Sequence, residues 1–143
     1  MNKKYIWCFA GQIHEQGKRA KMIDSLKACN GKYYLHVAEG WQSENCLSTR
    51  EYKSIMADSI FIPCPRGNTS VDTFRLYEAL EVGSIPIIEK SDYWNNLLGE
   101  HPLIETASWS NTSSDINMLL ENPNWIKEHS KEVLSWWSEY KEQ

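Results

Sequence analysis

The residues of this 143-residue chain that could do chemistry are concentrated in one loop and in the helix predicted to follow it. The loop, residues 64–71, contains an arginine, three short polar side chains, and a glycine that allows unusual backbone dihedral angles. Because the first-turn N–H groups of a helix have no intrahelical partner, a polar loop that leads into a helix favours the binding of an anion. The candidate contacts in the loop are Arg66, Gly67, Asn68, Thr69 and Ser70, with Ser70 or Asp72 as the helix cap.

Two charged side chains on the predicted helix extend this site. Arg75 lies within the first turn or so, and it could pair with a phosphate as a fork-shaped donor, as could Arg66 in the loop. Glu78 follows Arg75 by three positions, and its carboxylate, which offers only acceptors, suits two vicinal sugar hydroxyls. Spacing alone favours an ordinary ion pair between Arg75 and Glu78, and it would also fit a flavodoxin-like or sugar-isomerase domain.

Strand and helix patterns alternate around these residues. Short apolar runs predict strands at 5–9, 33–38, 59–63 and 84–89, and an edge strand at 103–104. Helical patterns are predicted at 18–29, 48–56, from 72 onward, 93–98, 114–120 and about 124–141. This alternation predicts one α/β Rossmann-like domain over residues 1–143, with a parallel sheet of four to five strands and helices on both faces. Ligands of such sheets bind at the carboxyl ends of the strands, where the loops 11–18, 39–46, 64–71 and 90–94 converge.

The closing helix, about 124–141, carries an aromatic stripe. Ile126, Val133, Trp137 and Tyr140 recur at helical spacing, and Trp136 lies beside them. Stripes of this kind are usually core, so we expect the helix to pack on its own domain rather than on a missing domain or a second subunit.

Composition excludes several classes of function. The formal net charge of -4 and the lack of a basic cluster argue against a nucleic-acid partner. The four cysteines are widely spaced, with no CxxC pair, which predicts reduced thiols, with Cys8 and Cys29 in the core, rather than a zinc site or disulfides. The first apolar run, about six residues long, is too short for a signal peptide or a membrane span, so we expect a cytoplasmic protein.

The string CPRGNTSVDTFRLYEALEVGSIPIIE, residues 64–89, resembles the donor-binding segment of exostosin-like glycosyltransferases. The shared pattern is a proline after a strand, a glycine loop, an Arg-x-x-Glu-Ala helix, then Gly-x-x-Pro and an apolar strand. Within that group the chain is most similar to ribitol xylosyltransferase-like proteins. Further points of likeness are Phe9 and Gly11 in an aromatic first strand, Arg19, Trp41 in a loop, Asp58-Ser59, and Leu134, Trp136 and Lys141 in the closing helix.

The resemblance implies the C-terminal half of a GT-B glycosyltransferase, which binds a nucleotide sugar, usually a UDP-sugar, without an essential metal or other cofactor. Arg75 and the backbone of 69–73 would then face the diphosphate, Glu78 would bind the ribose hydroxyls, and Gly83 and Pro86 would set the turn into the strand. The full set of expected donor contacts is Arg66, Gly67, Asn68, Thr69, Ser70, Thr73, Arg75, Glu78, Gly11, Arg19 and Trp41, of which Arg19 would reach the phosphates and Trp41 would stack on the base.

In this family the acceptor site and the general base come from an N-terminal domain, for which 143 residues leave no room. The resemblance therefore predicts a hexosyl- or pentosyltransferase donor half that needs an acceptor domain, a partner chain or a homo-oligomer formed through the closing helix. No catalytic residue is assigned; His14 in the first loop is a weak candidate base. Two alternatives stay open: a module that binds a nucleotide or nucleotide sugar without turnover, and an interaction scaffold that uses the surface of 125–140.

Overall fold

A computed structural model describes residues 3–11, 18–37, 49–65 and 74–142. Its five strands form one sheet in the order β2-β1-β3-β4-β5, and every neighbouring pair is parallel. The strands are β1 Tyr5–Gly11, β2 Tyr33–Val37, β3 Ser59–Cys64, β4 Ile85–Glu89 and β5 Ile104–Thr106. The predicted Rossmann-like α/β fold is confirmed, with the short last strand at an edge as expected.

Six helices and one 3-10 turn connect and cover the strands. They are α1 Lys18–Leu26, α2 Thr49–Ala57, α3 Phe74–Val82, α4 Asp92–Leu98, the 3-10 turn Trp109–Asn111, α5 Thr112–Leu120 and α6 Pro123–Lys141. The helix α1 ends at Leu26, earlier than predicted, because the chain turns there through hydrogen bonds such as Cys29 N–H to the Leu26 carbonyl at 3.1 Å. The start predicted for α3, at Asp72, lies outside the described residues.

Two hydrophobic cores cover the two faces of the sheet. Side chains alternate between the faces along each strand, so Trp7 and Phe9 join one core and Cys8 joins the other. The first core lies under α1, α5 and the 3-10 turn, and the second lies under α2, α3 and α4. The apolar runs of β3 and β4 are buried almost throughout, as expected for strands covered on both sides.

The closing helix α6 packs on both cores. It begins with Pro123 after the cap residue Asn122, whose side chain accepts from the Trp125 N–H at 3.3 Å. Ile126 belongs to the first core, and Val133 and Trp137 belong to the second. The prediction that the aromatic stripe packs on its own domain is confirmed.

The turn from α3 into β4 lies against α6. Gly83 has a φ of +79°, and a Cβ added there would come within 3.2 Å of the Leu134 side chain. A glycine is therefore needed both for the turn and for the close approach of α6, which supports the turn-setting role expected for Gly83. The indole N–H of Trp137 also donates to Glu81 on α3 at 3.0 Å.

Three of the four cysteines lie in the described residues, and all three are free thiols. Cys8, Cys29 and Cys64 are buried and unpaired, which confirms the expected core positions of Cys8 and Cys29, while Cys46 lies outside the described residues.

None of the helices in the described ranges is both long and apolar enough to cross a membrane.

A matched pair of leucine substitutions tests the second core. Leu80 on α3 is fully buried, whereas Leu97 on α4 is 42% exposed. Leu80→Ala should lower the free energy of unfolding by about 2–5 kcal/mol, because it leaves a cavity between α3 and the sheet. Leu97→Ala should change it by much less, and equal losses in urea titrations of the two variants would contradict this packing.

Candidate functional site

The described part of the site lies at the carboxyl ends of β1, β3 and β4, beside the first turn of α3. Of the predicted donor contacts, the structure describes Gly11, Arg19, Arg75 and Glu78. The others, Arg66, Gly67, Asn68, Thr69, Ser70, Thr73 and Trp41, lie outside the described residues, as does the candidate base His14. The described part of the site therefore consists mainly of residues on β1, α1, α2 and α3.

Arg75 is directed from α3 to the end of β1. Its Nη2 donates to the Ala10 carbonyl at 2.8 Å, and its Nε donates to the Tyr52 hydroxyl at 3.2 Å. Its guanidinium carbon lies 4.4 Å from the centre of the Phe9 ring, a cation–π distance. No ion pair joins Arg75 to Glu78. The prediction of an ion pair between Arg75 and Glu78, which spacing alone favoured, is therefore wrong, because Arg75 forms hydrogen bonds with β1 and α2 instead.

The strand β1 has room for this arginine at its end. The described pairing of β1 with β3 ends at Trp7 and Phe61, two residues before Pro63, which has no N–H to donate. Beyond that point β1 accepts a hydrogen bond from a side chain. A Cβ added to Gly11 would lie 2.9 Å from Arg75 Nη2, so the guanidinium group would have to shift to accommodate it. Gly11, expected as a donor contact, thus provides the space in which the guanidinium group lies.

A second cation approaches the same ring. The guanidinium carbon of Arg19, on α1, lies 5.7 Å from the centre of the Phe9 ring. Burial lowers the pKa of Arg19, and the positive charge of Arg75 lowers it further, while Glu89 and Tyr52 act in the opposite direction. Two like charges near one ring repel each other, and an anion between them would relieve that repulsion. This end of the sheet is thus electrostatically suited to an anion.

Glu89, the last residue of β4, completes the described cluster on the α1 side. Its Oε1 accepts from the indole N–H of Trp109 at 2.9 Å, and its charge raises the pKa of Arg19. Neither Glu89 nor Trp109 was predicted as a site residue. The position of Glu89 at the carboxyl end of a central strand is a signal that could have identified it.

Glu78 lies one turn further along α3 than Arg75 and is half-buried. It makes no hydrogen bond or ion pair with another residue in the part of the chain that the structure describes. One helical turn, about 5 Å of rise, separates this acceptor from the cation. The helix α3 therefore carries a hydrogen-bond donor, Arg75, followed one turn later by an acceptor, Glu78.

Two thiols and one phenol near Arg75 are neutral among the residues that the structure describes. Burial raises the pKa of Cys8 to about 11, and the pKa values of Cys64 and Tyr52 to about 12, although the charge of Arg75 works against each shift. At neutral pH these thiols and this phenol keep their protons, so they add no negative charge beside Arg75 and Arg19. Within the described ranges, no group of three or more His, Cys, Asp or Glu could hold a metal ion, and a metal-independent site stays a prediction.

Comparison with known proteins gives consistent matches over the chain. The family model described as RXYLT1 C-terminal domain matches residues 1–143. Ribitol-5-phosphate xylosyltransferase 1 from Homo sapiens is 32% identical over 90 residues, covering 61% of this chain and 20% of the relative. The protein of the same name from Mus musculus is 25% identical over 162 residues, covering 97% of this chain and 35% of the relative. The chain thus spans about a third or less of the length of these relatives.

The neutral thiols beneath the site give a labelling test. At pH 8, a thiol whose pKa is about 11 is ionised on the order of one part in a thousand. Iodoacetamide should therefore modify Cys8 and Cys64 very slowly in the folded protein and rapidly in urea, as followed by peptide mass spectrometry. Equal labelling rates in the two states would show that these thiols are not buried as described.

Proposed function

The chain belongs to the RXYLT1 C-terminal domain family of ribitol xylosyltransferase-like glycosyltransferases, and from this premise we propose that it binds the nucleotide-sugar donor of the transfer reaction, a UDP-sugar. The observation that carries the proposal is the convergence of Arg75 and Arg19 on the Phe9 ring at the carboxyl end of β1. This is the edge of a parallel sheet at which ligands bind.

The order of groups along α3 suits a nucleoside diphosphate. Arg75, at the sheet edge, would hold the diphosphate, and its guanidinium has further N–H donors on Nη1 and Nη2 beyond those given to Ala10 and Tyr52. Glu78, one turn along, would accept from the ribose hydroxyls, which follow the phosphates in such a ligand. The loop residues 66–70 and Thr73 would add backbone and short side-chain donors to the phosphates, and Trp41 would stack on the base, as the family resemblance implies.

The chemical contribution of this domain would be stabilisation of the leaving group. Glycosyl transfer places negative charge on the departing diphosphate, and preorganised cations stabilise that charge without reorganisation. Removal of one such donor from an enzyme site typically reduces kcat by about 10²–10³. Arg75, already held in place by Ala10 and Tyr52, fits that role.

The acceptor and the general base would come from elsewhere. The match covers 35% of the mouse relative and 20% of the human one, and an acceptor-binding domain or a partner chain would supply both groups. The names of the relatives make a xylosyl donor and a ribitol phosphate acceptor the first pair to test. A GT-B architecture for the whole enzyme and a cytoplasmic location belong to the same proposal.

The second candidate function is nucleotide-sugar binding without turnover. It is favoured by the described part of the site, which brings Arg75 and Arg19 to one ring but in which no described residue is assigned as a general base. Mass spectrometry of reactions that contain UDP-xylose would separate the two functions, because only the enzyme would release UDP or form a new glycoside.

Calorimetric titration with UDP and UDP-xylose tests the donor site, with 2′-deoxy-UDP as a probe of the ribose contact. Glu78→Ala should weaken UDP binding by about tenfold or more, the range for a hydrogen bond to a charged group. The 2′-deoxy compound should bind the wild type more weakly than UDP, and this difference should vanish in Glu78→Ala.

A matched control is Glu81→Ala on the same helix, because Glu81 faces α6 through Trp137 and Lys141. It should leave UDP affinity unchanged. The absence of UDP binding to the wild type at millimolar concentration, or equal binding by Glu78→Ala, would overturn the proposal.

A further inference from the structure

We propose that Tyr52 is a positioning residue that aligns the Arg75 guanidinium for the diphosphate while leaving its charge intact. The proposal rests on the donor-binding function above and adds to it a residue from a different element, α2. Tyr52 lies outside residues 64–89, the segment that carries the family pattern.

Two hydrogen bonds fix the geometry of the Arg75 guanidinium group. Arg75 Nε donates to the Tyr52 hydroxyl across 23 positions of sequence, and Nη2 donates to Ala10 across 65. Two hydrogen bonds to different nitrogen atoms of one planar group fix both the position and the plane of that group. A free arginine side chain carries about 2 kcal/mol of rotamer entropy, and a side chain already fixed loses less of it when the ligand binds.

Tyr52 holds Arg75 without bringing a negative charge to it. The described partners of Arg75 are a carbonyl oxygen, a phenol and an aromatic ring, all of them neutral. A carboxylate in the place of Tyr52 would hold the arginine equally well, but it would compete with the incoming anion. Burial raises the pKa of the Tyr52 phenol to about 12, so it stays uncharged at any physiological pH. The described partners thus orient the arginine without neutralising its charge, as a site for an anion requires.

Tyr52 is carried by a helix, α2, that is itself anchored to the sheet. The carboxyl end of α2 is tied to the sheet by two hydrogen bonds, from Ser59 Oγ to the Ile55 carbonyl at 2.8 Å and from Ser84 Oγ to the Met56 carbonyl at 2.6 Å. Both serines are fully buried. The position of the Tyr52 hydroxyl therefore follows from the packing of α2 against the sheet.

The test removes only the hydroxyl group. Tyr52→Phe should weaken UDP binding by about tenfold, as expected when a charge-assisted hydrogen bond is lost, and should leave the weaker binding of uridine unchanged. The control is Tyr33→Phe: Tyr33 stacks on Trp7 in the first core, 4.7 Å between ring centres, and its hydroxyl makes no hydrogen bond to another described residue. It should not change either affinity.

A second variant reaches the same arginine from the other side. Gly11→Ala places a methyl group 2.9 Å from the present position of Arg75 Nη2. It should displace the guanidinium and cause a similar loss for UDP and none for uridine. If Tyr52→Phe binds UDP as the wild type does, the proposal is overturned, whatever the result for Gly11→Ala.

Nitrogen-15 NMR of the Arg75 side chain separates this inference from the donor-binding function. In the ligand-free protein the Nε–H resonance should be sharp and slow to exchange, and Tyr52→Phe should shift it and speed its exchange. If the wild type binds no UDP, the proposed function fails; an unchanged Nε–H resonance in Tyr52→Phe overturns the positioning role in its own right.

Discussion

The guanidinium group of Arg75, held at the end of β1 by neutral partners, is the interaction on which the rest of the site depends. Its hydrogen bonds to Ala10 and Tyr52 join α3 to β1 and α2, and its contact with the Phe9 ring brings it close to Arg19. Positive charge is costly to bury without a counter-ion, and here part of that cost is offset by a ring face and a carbonyl dipole. The described partners of Arg75 are neutral, so its positive charge can still bind an anion.

The fold supports this arrangement from both sides of the sheet. Gly11 leaves room for the guanidinium, and β1 is not described as paired with β3 beyond Trp7 and Phe61. The helix α6 contributes to both cores and packs against the turn at Gly83, which fixes α3 relative to the strands. The fold therefore sets the direction of Arg75 as well as its place along the helix.

The sequence predicted the layers of this fold and the identity of the key arginine, but not the partners of that arginine. Apolar runs and helical periodicity depend on neighbours along the chain, so the strands, α6 and the buried cysteines could be predicted. The contacts of Arg75 join residues 23 and 65 positions apart, and local spacing carries no information about them. That is why spacing favoured an ion pair with Glu78, and why no local pattern indicated a role for Tyr52, which lies within the helix predicted at 48–56. Glu89 is different, since its place at the end of β4 follows from the predicted topology.

The most direct test of the account is an experimental structure of the protein with UDP bound. We expect the diphosphate at the carboxyl end of β1, with phosphate oxygens within hydrogen-bonding distance of the Arg75 guanidinium, and the ribose hydroxyls at Glu78. The hydrogen bond from Arg75 to Tyr52 should be retained in that complex. A nucleotide bound at another edge of the sheet, or an Arg75 side chain turned away from the phosphates to pair with Glu78, would contradict the account.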